Sequence, residues 1–244
     1  MRTPRLHLPQ ALAQGETIQI GGQTAHHIKH VLRLRPGVGI SVFDGLGNEY
    51  NAVLVAIGRA EVSAIIGERA ATIAEPALQI TLAQGIARND RMDIILQKAV
   101  ELGVTTIQPL WMQRCQTHLK AARLEKRSQH WLGVIISACE QCGRSTLPHL
   151  AAPDSYPRWI NSLPEGSCRL MLQPEGSTSL RTLAPPRENI CVLIGPEGGL
   201  NPDEQLLAGA AGFLGVRLGP RILRTETAAL TALAGMQTLW GDFD

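Results

Sequence analysis

Aromatic side chains are scarce in this 244-residue chain, which holds three Phe, two Tyr and four Trp. Residues 1–72 contribute only Phe43 and Tyr50. That scarcity disfavours a surface that stacks many single-stranded bases. No apolar run approaches the ~18 residues needed to cross a bilayer, so no membrane partner is expected. Residues 1–10 carry Pro4 and Pro9 and lack the apolar stretch of a signal peptide. Five cysteines, an odd count, argue against a disulfide framework and suit a reducing compartment. A cytoplasmic protein is the expectation. Cys139-x-x-Cys142 has no second cysteine pair and falls on a helical stretch, so it reads as packing rather than a zinc or redox pair. His26 and His30 are spaced i,i+4 with no evident third ligand, and no metal is expected. The Gly-x-Gly-x-x-Gly fingerprint is missing, which argues against a nicotinamide enzyme, and no Gly-Lys-Ser/Thr marks a P-loop.

What is present fits a globular fold. Apolar residues make up 44% and mean hydropathy is +0.01. The length suits one large domain or two small ones. Net charge is only +2, but it is unevenly spread. Residues 1–72 balance at +2, residues 73–150 at +3 and residues 151–244 at −3. Arg2, Arg5, Lys29, Arg33 and Arg35 stand against the single acid Glu16 in the first 35 residues. A basic front and an acidic back fit one face for a polyanion and another for something else. A fluctuation of solvated surface charge would look the same. Phosphate contacts to a folded RNA suit these arginines and lysines better than base stacking does.

Two regimes of pattern divide the chain. Residues 1–72 alternate as strands over 38–43, 49–57 and 61–67, with turn signals between them. One helical stretch, near 24–34, interrupts. A small barrel carrying one helix is expected, followed by a linker over 72–76. From residue 78, short apolar strands alternate with helices, which implies a mostly parallel sheet covered by helices over 73–244. Expected strands are 78–83, 106–110, 169–172, 191–194 and 215–218. Asn89 and Asn201 are each expected to cap a helix, and further helices are expected from Lys120 and from Glu226. Asn201-Pro202-Asp203-Glu204 carries a cap residue, Pro at the first helical position and an acid at the third.

In such a sheet, ligands bind at the carboxyl ends of strands. Two ends stand out. In Ile194-Gly195-Pro196-Glu197-Gly198-Gly199, three glycines remove Cβ atoms where backbone must approach a ligand. A plain strand-to-helix turn needs about one. The second end runs from Leu218 to Thr227. There Arg224 sits at a helix N-terminus, where a cation is mildly unfavourable and calls for a carboxylate, a phosphate or a ligand. Glu226 is explained equally well as an acid favoured by the helix dipole or as a working group.

These two blocks, LIGPEGG at 193–199 and LGPRILRTETA at 218–228, resemble the RsmE family, ribosomal RNA small-subunit methyltransferase E, of the SPOUT superfamily. Pro4-Arg5, Gln97-Lys98, Glu101 to Val104, Glu140-Gln141, Arg144 and Pro174-Glu175 extend the likeness along nearly the whole chain. Arg91 stands where the family often has lysine, and His130 where arginine is common. The resemblance implies an α/β protein with an N-terminal PUA-like β-barrel at 1–72 and a C-terminal SPOUT domain with a trefoil knot at 73–244. It implies S-adenosylmethionine as cofactor, held by Leu172, Ile194, Gly195, Glu197, Gly199, Leu218, Ile222, Leu223 and Thr225. It implies N3-methylation of a uridine in 16S rRNA of the small ribosomal subunit, near the decoding site, by a homodimer. Arg224, Glu226 and Arg5 are the catalytic candidates. Arg2, Arg5, Lys29, Arg33, Arg91 and Arg144 are the RNA-binding ones. A SPOUT enzyme methylating a ribose 2′-oxygen, or a non-catalytic rRNA-binding assembly factor, remain the alternatives.

Overall fold

A computed structural model describes residues 3–116, 121–186 and 189–243. It divides into two compact units, one formed by Met1–Glu75 with Ile136–Leu147 and the other by Pro76–Ile135 with Pro148–Asp244.

The first unit is built on a five-stranded sheet. Its strands are β1 (Arg5–His7), β2 (Thr17–Ile20), β3 (Gly39–Phe43), β4 (Glu49–Ile57) and β5 (Val62–Arg69), in the spatial order β1-β3-β4-β5-β2. Only β1 and β3 pair in parallel. The alternation that marks β4 and β5 in the sequence is the pleat itself, which sends successive side chains to opposite faces. Ala52, Leu54, Val62, Ala64 and Ile66 point inward to meet Ile18, Ile20, Ile40 and Val42. Each large aliphatic group buried there contributes about 1.5–3 kcal/mol. The expected helix near 24–34 is divided. A short α1 (Gly22–His26) passes into a π-turn, His27–Val31, in which the Leu32 N–H reaches back five residues to the His27 carbonyl at 2.9 Å. Arg33 then takes a left-handed φ of 52° and ends the turn.

A buried ion pair organises the remainder of this unit. The Arg5 guanidinium donates to both Glu49 oxygens, at 2.9 and 2.8 Å. Its other N–H groups donate to the carbonyls of Cys139, Glu140 and Arg144 and to Ser145 Oγ. A cation on the last carbonyls of a helix satisfies orphan acceptors and suits the dipole. Glu49 also accepts from the Ser41 and Ser145 hydroxyls. Burial pushes the Glu49 carboxyl up, but bonds from Arg5, Ser145 and Ser41 and the Arg5 charge outweigh it and bring it from 4.5 down to about 2.

The second unit carries a parallel sheet. Its strands are β6 (Ile80–Gly85), β7 (Thr106–Trp111), β8 (His149–Leu150), β9 (Asp154–Ser155), β10 (Cys168–Leu172), β11 (Ile190–Ile194) and β12 (Leu214–Val216). The spatial order is β12-β10-β11-β6-β7-β8, with β9 also on β7, and every pairing is parallel. Central β11 is buried at all five positions, as expected of a sheet with both faces covered. The helices are α2 (Asn89–Glu101), α3 (Ala121–Cys142), α4 (Tyr156–Ile160), α5 (Pro202–Ala210) and α6 (Thr225–Trp240). Met92, Ile95, Leu96, Ala99 and Val100 form the buried stripe of α2, and Gly103, at φ +76°, closes it where a C′ glycine belongs. Arg88 occupies the cap position of α2, so Asn89 begins the helix rather than capping it. Lys120, the expected start of α3, lies outside the described residues, as does Arg2.

Because the Glu49 carboxyl is held low in the folded chain, its contribution to stability is complete above about pH 4.5 and vanishes as pH falls toward about 2. Glu49→Gln should therefore cost about 3 kcal/mol at neutral pH, since it leaves Arg5 buried without its counter-charge. In urea unfolding followed by circular dichroism, the gap between parent and variant should close across that acid window. Equal acid sensitivity of the two proteins would contradict this account.

Candidate active site

The carboxyl ends of β10, β11 and β12 open onto one cleft of about 320 Å³, within the size range of small-molecule sites. The β11 end supplies residues 194–200 of its wall, the β10 end residues 172–175 and the β12 end residues 216–219. Leu172, Ile194, Gly195, Glu197, Gly199, Leu218, Ile222, Leu223 and Thr225 all stand on this wall. The two glycine-bearing turns, more than twenty residues apart in sequence, thus meet.

Their junction is polar and buried. The Thr225 hydroxyl donates to the Gly195 carbonyl at 2.7 Å. Gln84, fully buried at the end of β6, donates through Nε2 to Thr225 Oγ1 at 3.0 Å and to the Gly85 carbonyl at 2.9 Å, and lies 3.4 Å from the Gly195 carbonyl. Gln84 Oε1 has no partner among the described residues. A buried acceptor left so costs about 1–3 kcal/mol. Steric limits act at the same place. A Cβ on Gly85 would come within 2.5 Å of Pro196. Gly199 holds φ +68°, which lets its N–H close a tight turn on the Pro196 carbonyl at 2.8 Å.

Beyond that turn the chain enters α5 through a full capping box. Asn201 Oδ1 accepts from the Glu204 N–H at 2.8 Å, and Glu204 Oε2 accepts from the Asn201 N–H at 2.9 Å. Glu204 Oε1 also accepts from the Gln113 N–H at 2.8 Å, and the Tyr156 hydroxyl donates to the Glu204 carbonyl at 2.7 Å. Arg114 completes the support. Its Nη1 donates to the carbonyls of Gly198 and Leu200, at 2.9 and 3.3 Å. Arg114 lines the cleft together with Arg217 and Arg221. The sequence does not single out any of the three, because an isolated arginine in a turn carries no spacing signal.

Charged groups cluster around the head of α6. Glu197 Oε1 accepts from the Arg88 N–H at 2.9 Å and lies 3.5 Å from Arg91 Nη1. Glu226 Oε1 lies 4.0 Å from Arg91 Nε. The second oxygen of each carboxylate is buried without a partner among the described residues. Arg224, the N-cap residue of α6, is exposed, and no hydrogen bond or ion pair engages its side chain among the described residues. Neither Arg224 nor Glu226 is on the cleft wall itself, although each adjoins Thr225, which is.

Two residues expected to meet substrate or RNA change role. Arg5 is not available to a substrate anion, because its donors are spent on Glu49 and on the end of α3 and its side chain is only 9% exposed. Arg144 is not available to RNA, because its side chain is 8% exposed and pairs with Glu75 at 2.6 Å. Lys29 is half-buried and donates to the Arg59 carbonyl at 2.8 Å, whereas Arg33 is exposed. Cys139 is buried, and burial pushes its thiol up to about 12, which agrees with packing rather than reactivity. Among the described residues no group of three His, Cys, Asp or Glu side chains could hold a metal ion, and no helix is long and apolar enough to cross a membrane.

Comparison with known proteins meets this geometry. Residues 74–237 match an RNA methyltransferase domain and residues 20–67 an RNA methyltransferase PUA domain. The ribosomal RNA small subunit methyltransferase E of Buchnera aphidicola (subspecies Schizaphis graminum) is 32% identical, over 99% of this chain and 98% of its own. That of Bacillus subtilis is 26% identical over 93% and 92%. The crystal structure of the Neisseria gonorrhoeae enzyme of the same name, bound to S-adenosyl methionine, superposes with a TM-score of 0.93 at 41% identity and covers 100% of both chains. A putative methyltransferase of Legionella pneumophila in complex with the same cofactor gives 0.96 at 35% identity, again over 100% of both. With both units and both cleft loops accounted for, the chain belongs to the ribosomal RNA small subunit methyltransferase E family.

Proposed function

We propose that this protein methylates N3 of a uridine in 16S rRNA of the small ribosomal subunit, near the decoding site, with S-adenosylmethionine as methyl donor. The observation that carries the reading is the single cleft formed where the 194–200 and 216–225 turns meet. The cofactor fits what lines it. Leu172, Ile194, Leu218, Ile222 and Leu223 would offer apolar surface to an adenine ring, and the glycine turns would present backbone N–H groups to it. Glu175 and Glu197 place carboxylates on the same wall, in a segment that is itself net acidic. When bound, the cofactor supplies an activated methyl group on a positively charged sulfur.

The protein's own residues must do two further things. Uridine N3 carries a proton at neutral pH and is a poor nucleophile until that proton leaves. Arg224, exposed and without a partner beside the cleft among the described residues, is suited to stabilise the negative charge that spreads to O2 and O4. Glu226, with one carboxylate oxygen buried and undonated, is suited to take the N3 proton. Glu226 would take the N3 proton and Arg224 would hold the charge left behind, so that N3 could accept the methyl group the bound donor would supply. Holding the base in one orientation would supply much of the rate.

Arg91, Arg33 and Lys29 are the candidates for RNA phosphate contacts. The family likeness further supports a homodimer whose α6 passes through a trefoil knot, acting in the cytoplasm where ribosomes are assembled. The first unit, which matches the PUA domain, is then the RNA grip.

Small-subunit rRNA treated with the protein and methyl donor should yield 3-methyluridine in nucleoside mass spectrometry. A 2′-O-methylated nucleoside, or no methylation at all, would overturn the assignment. Arg224→Ala should slow single-turnover methylation about 100-fold or more while donor affinity, measured by calorimetry, stays close to the parent. An unchanged single-turnover rate removes Arg224 from the chemistry.

A further inference from the structure

We infer that Gln84 is a positioning residue for methyl transfer, a buried amide that ties the 195–199 turn to the head of α6 and thereby fixes the two walls of the donor cleft. This rests on the reading of that cleft as the donor site.

Three observations carry it. The hydrogen bonds form a chain with one direction. The Thr225 hydroxyl proton goes to the Gly195 carbonyl at 2.7 Å, so its oxygen is left to accept, and Gln84 Nε2 donates to it at 3.0 Å. Gln84 thus sets the orientation of the hydroxyl that joins the two turns. Its neighbours along the chain, Leu82, Ala83, Ile86 and Ala87, are all apolar and buried. An aliphatic side chain would sit there without an unsatisfied atom, whereas Gln84 leaves Oε1 unpartnered among the described residues. Core stability alone does not favour such a residue, but a need for its donor end does. The adjacent position points the same way. Gly85 leaves no room for a Cβ against Pro196, so the end of β6 meets the donor turn through both a hydrogen-bond donor and a steric stop. Glutamate in place of Gln84 would have no amide donor to offer Thr225.

The test is a double-mutant cycle on the full chain, reading donor Kd by calorimetry and single-turnover rate with saturating rRNA. Gln84→Met keeps length and removes the donor. Thr225→Val keeps shape and removes the hydroxyl. Each should weaken donor binding about 10-fold, and the double variant should be no weaker than the worse single one, because both act through one chain of bonds. Thr225→Ser should restore binding to within about twofold of the parent, the scale expected when a bond is kept. A purely structural Gln84 would lower the melting temperature and leave donor Kd unmoved, which overturns the inference. So do additive effects in the double variant. Should Gln84→Met fail to fold, Thr225→Val and Thr225→Ser still decide, since equal donor affinity in both sinks the chain of bonds. Absence of donor binding by the parent protein overturns the functional reading, whereas parental binding with an indifferent Gln84→Met overturns only this one.

Discussion

The contact between the Thr225 hydroxyl and the Gly195 carbonyl joins parts of the chain thirty residues apart on the wall of the cleft. Strand ends bring ligand turns near one another, but they do not fix the turns to each other. Here β10, β11 and β12 deliver three segments to one edge of the sheet, and a short buried bond closes the gap between two of them. A hydrogen bond shielded from water is stronger electrostatically and more costly to break than one on the surface. The surrounding devices serve the same end. The capping box at Asn201 fixes the exit of the first turn, and Arg114 holds the carbonyls of Gly198 and Leu200. The result is a site whose backbone is set before a ligand arrives, which limits the ordering cost of binding.

Charge around this site is arranged in layers. Arg91 stands between Glu197 and Glu226, within 4.0 Å of each, so neither carboxylate is left without a cation nearby. Arg224 lacks such a partner among the described residues and stays exposed. The difference between a neutralised arginine and an unneutralised one is a difference in how strongly each attracts an incoming anion.

Much of the architecture was legible in the chain because periodicity is local. The strands at 49–57 and 62–69 alternate over enough residues to announce themselves, and the parallel sheet shows as short apolar runs between helices. The start of α5 was legible to the residue, since a cap, a proline and an acid act within one turn. β1 and β2, at three and four residues, are too short for a pattern. The π-turn at 27–31 reads as ordinary helix because a single five-residue turn is too short to show a change of period. The joining of 136–147 to the first unit was illegible for a different reason. It depends on Arg5 meeting Cys139, Glu140 and Arg144, contacts more than 130 residues apart. The same distance misleads a reading of charge. Arg5 and Arg144 count as basic surface in a sequence, yet Glu49 and Glu75 hold them indoors. The ligand turns were legible through their glycines, whereas Gln84 was not, for a lone glutamine in an apolar strand announces nothing.

Crowding at Gly85 carries an evolutionary consequence. Even a methyl group there would collide with Pro196, a residue of the cleft wall, so that part of the wall cannot drift in small steps toward ligands of another shape. Ile222, on the same wall, is unconstrained by comparison, for it is 85% exposed. Divergence among relatives that come to favour different substrates should therefore accumulate near Ile222, with the Pro196 turn inherited intact.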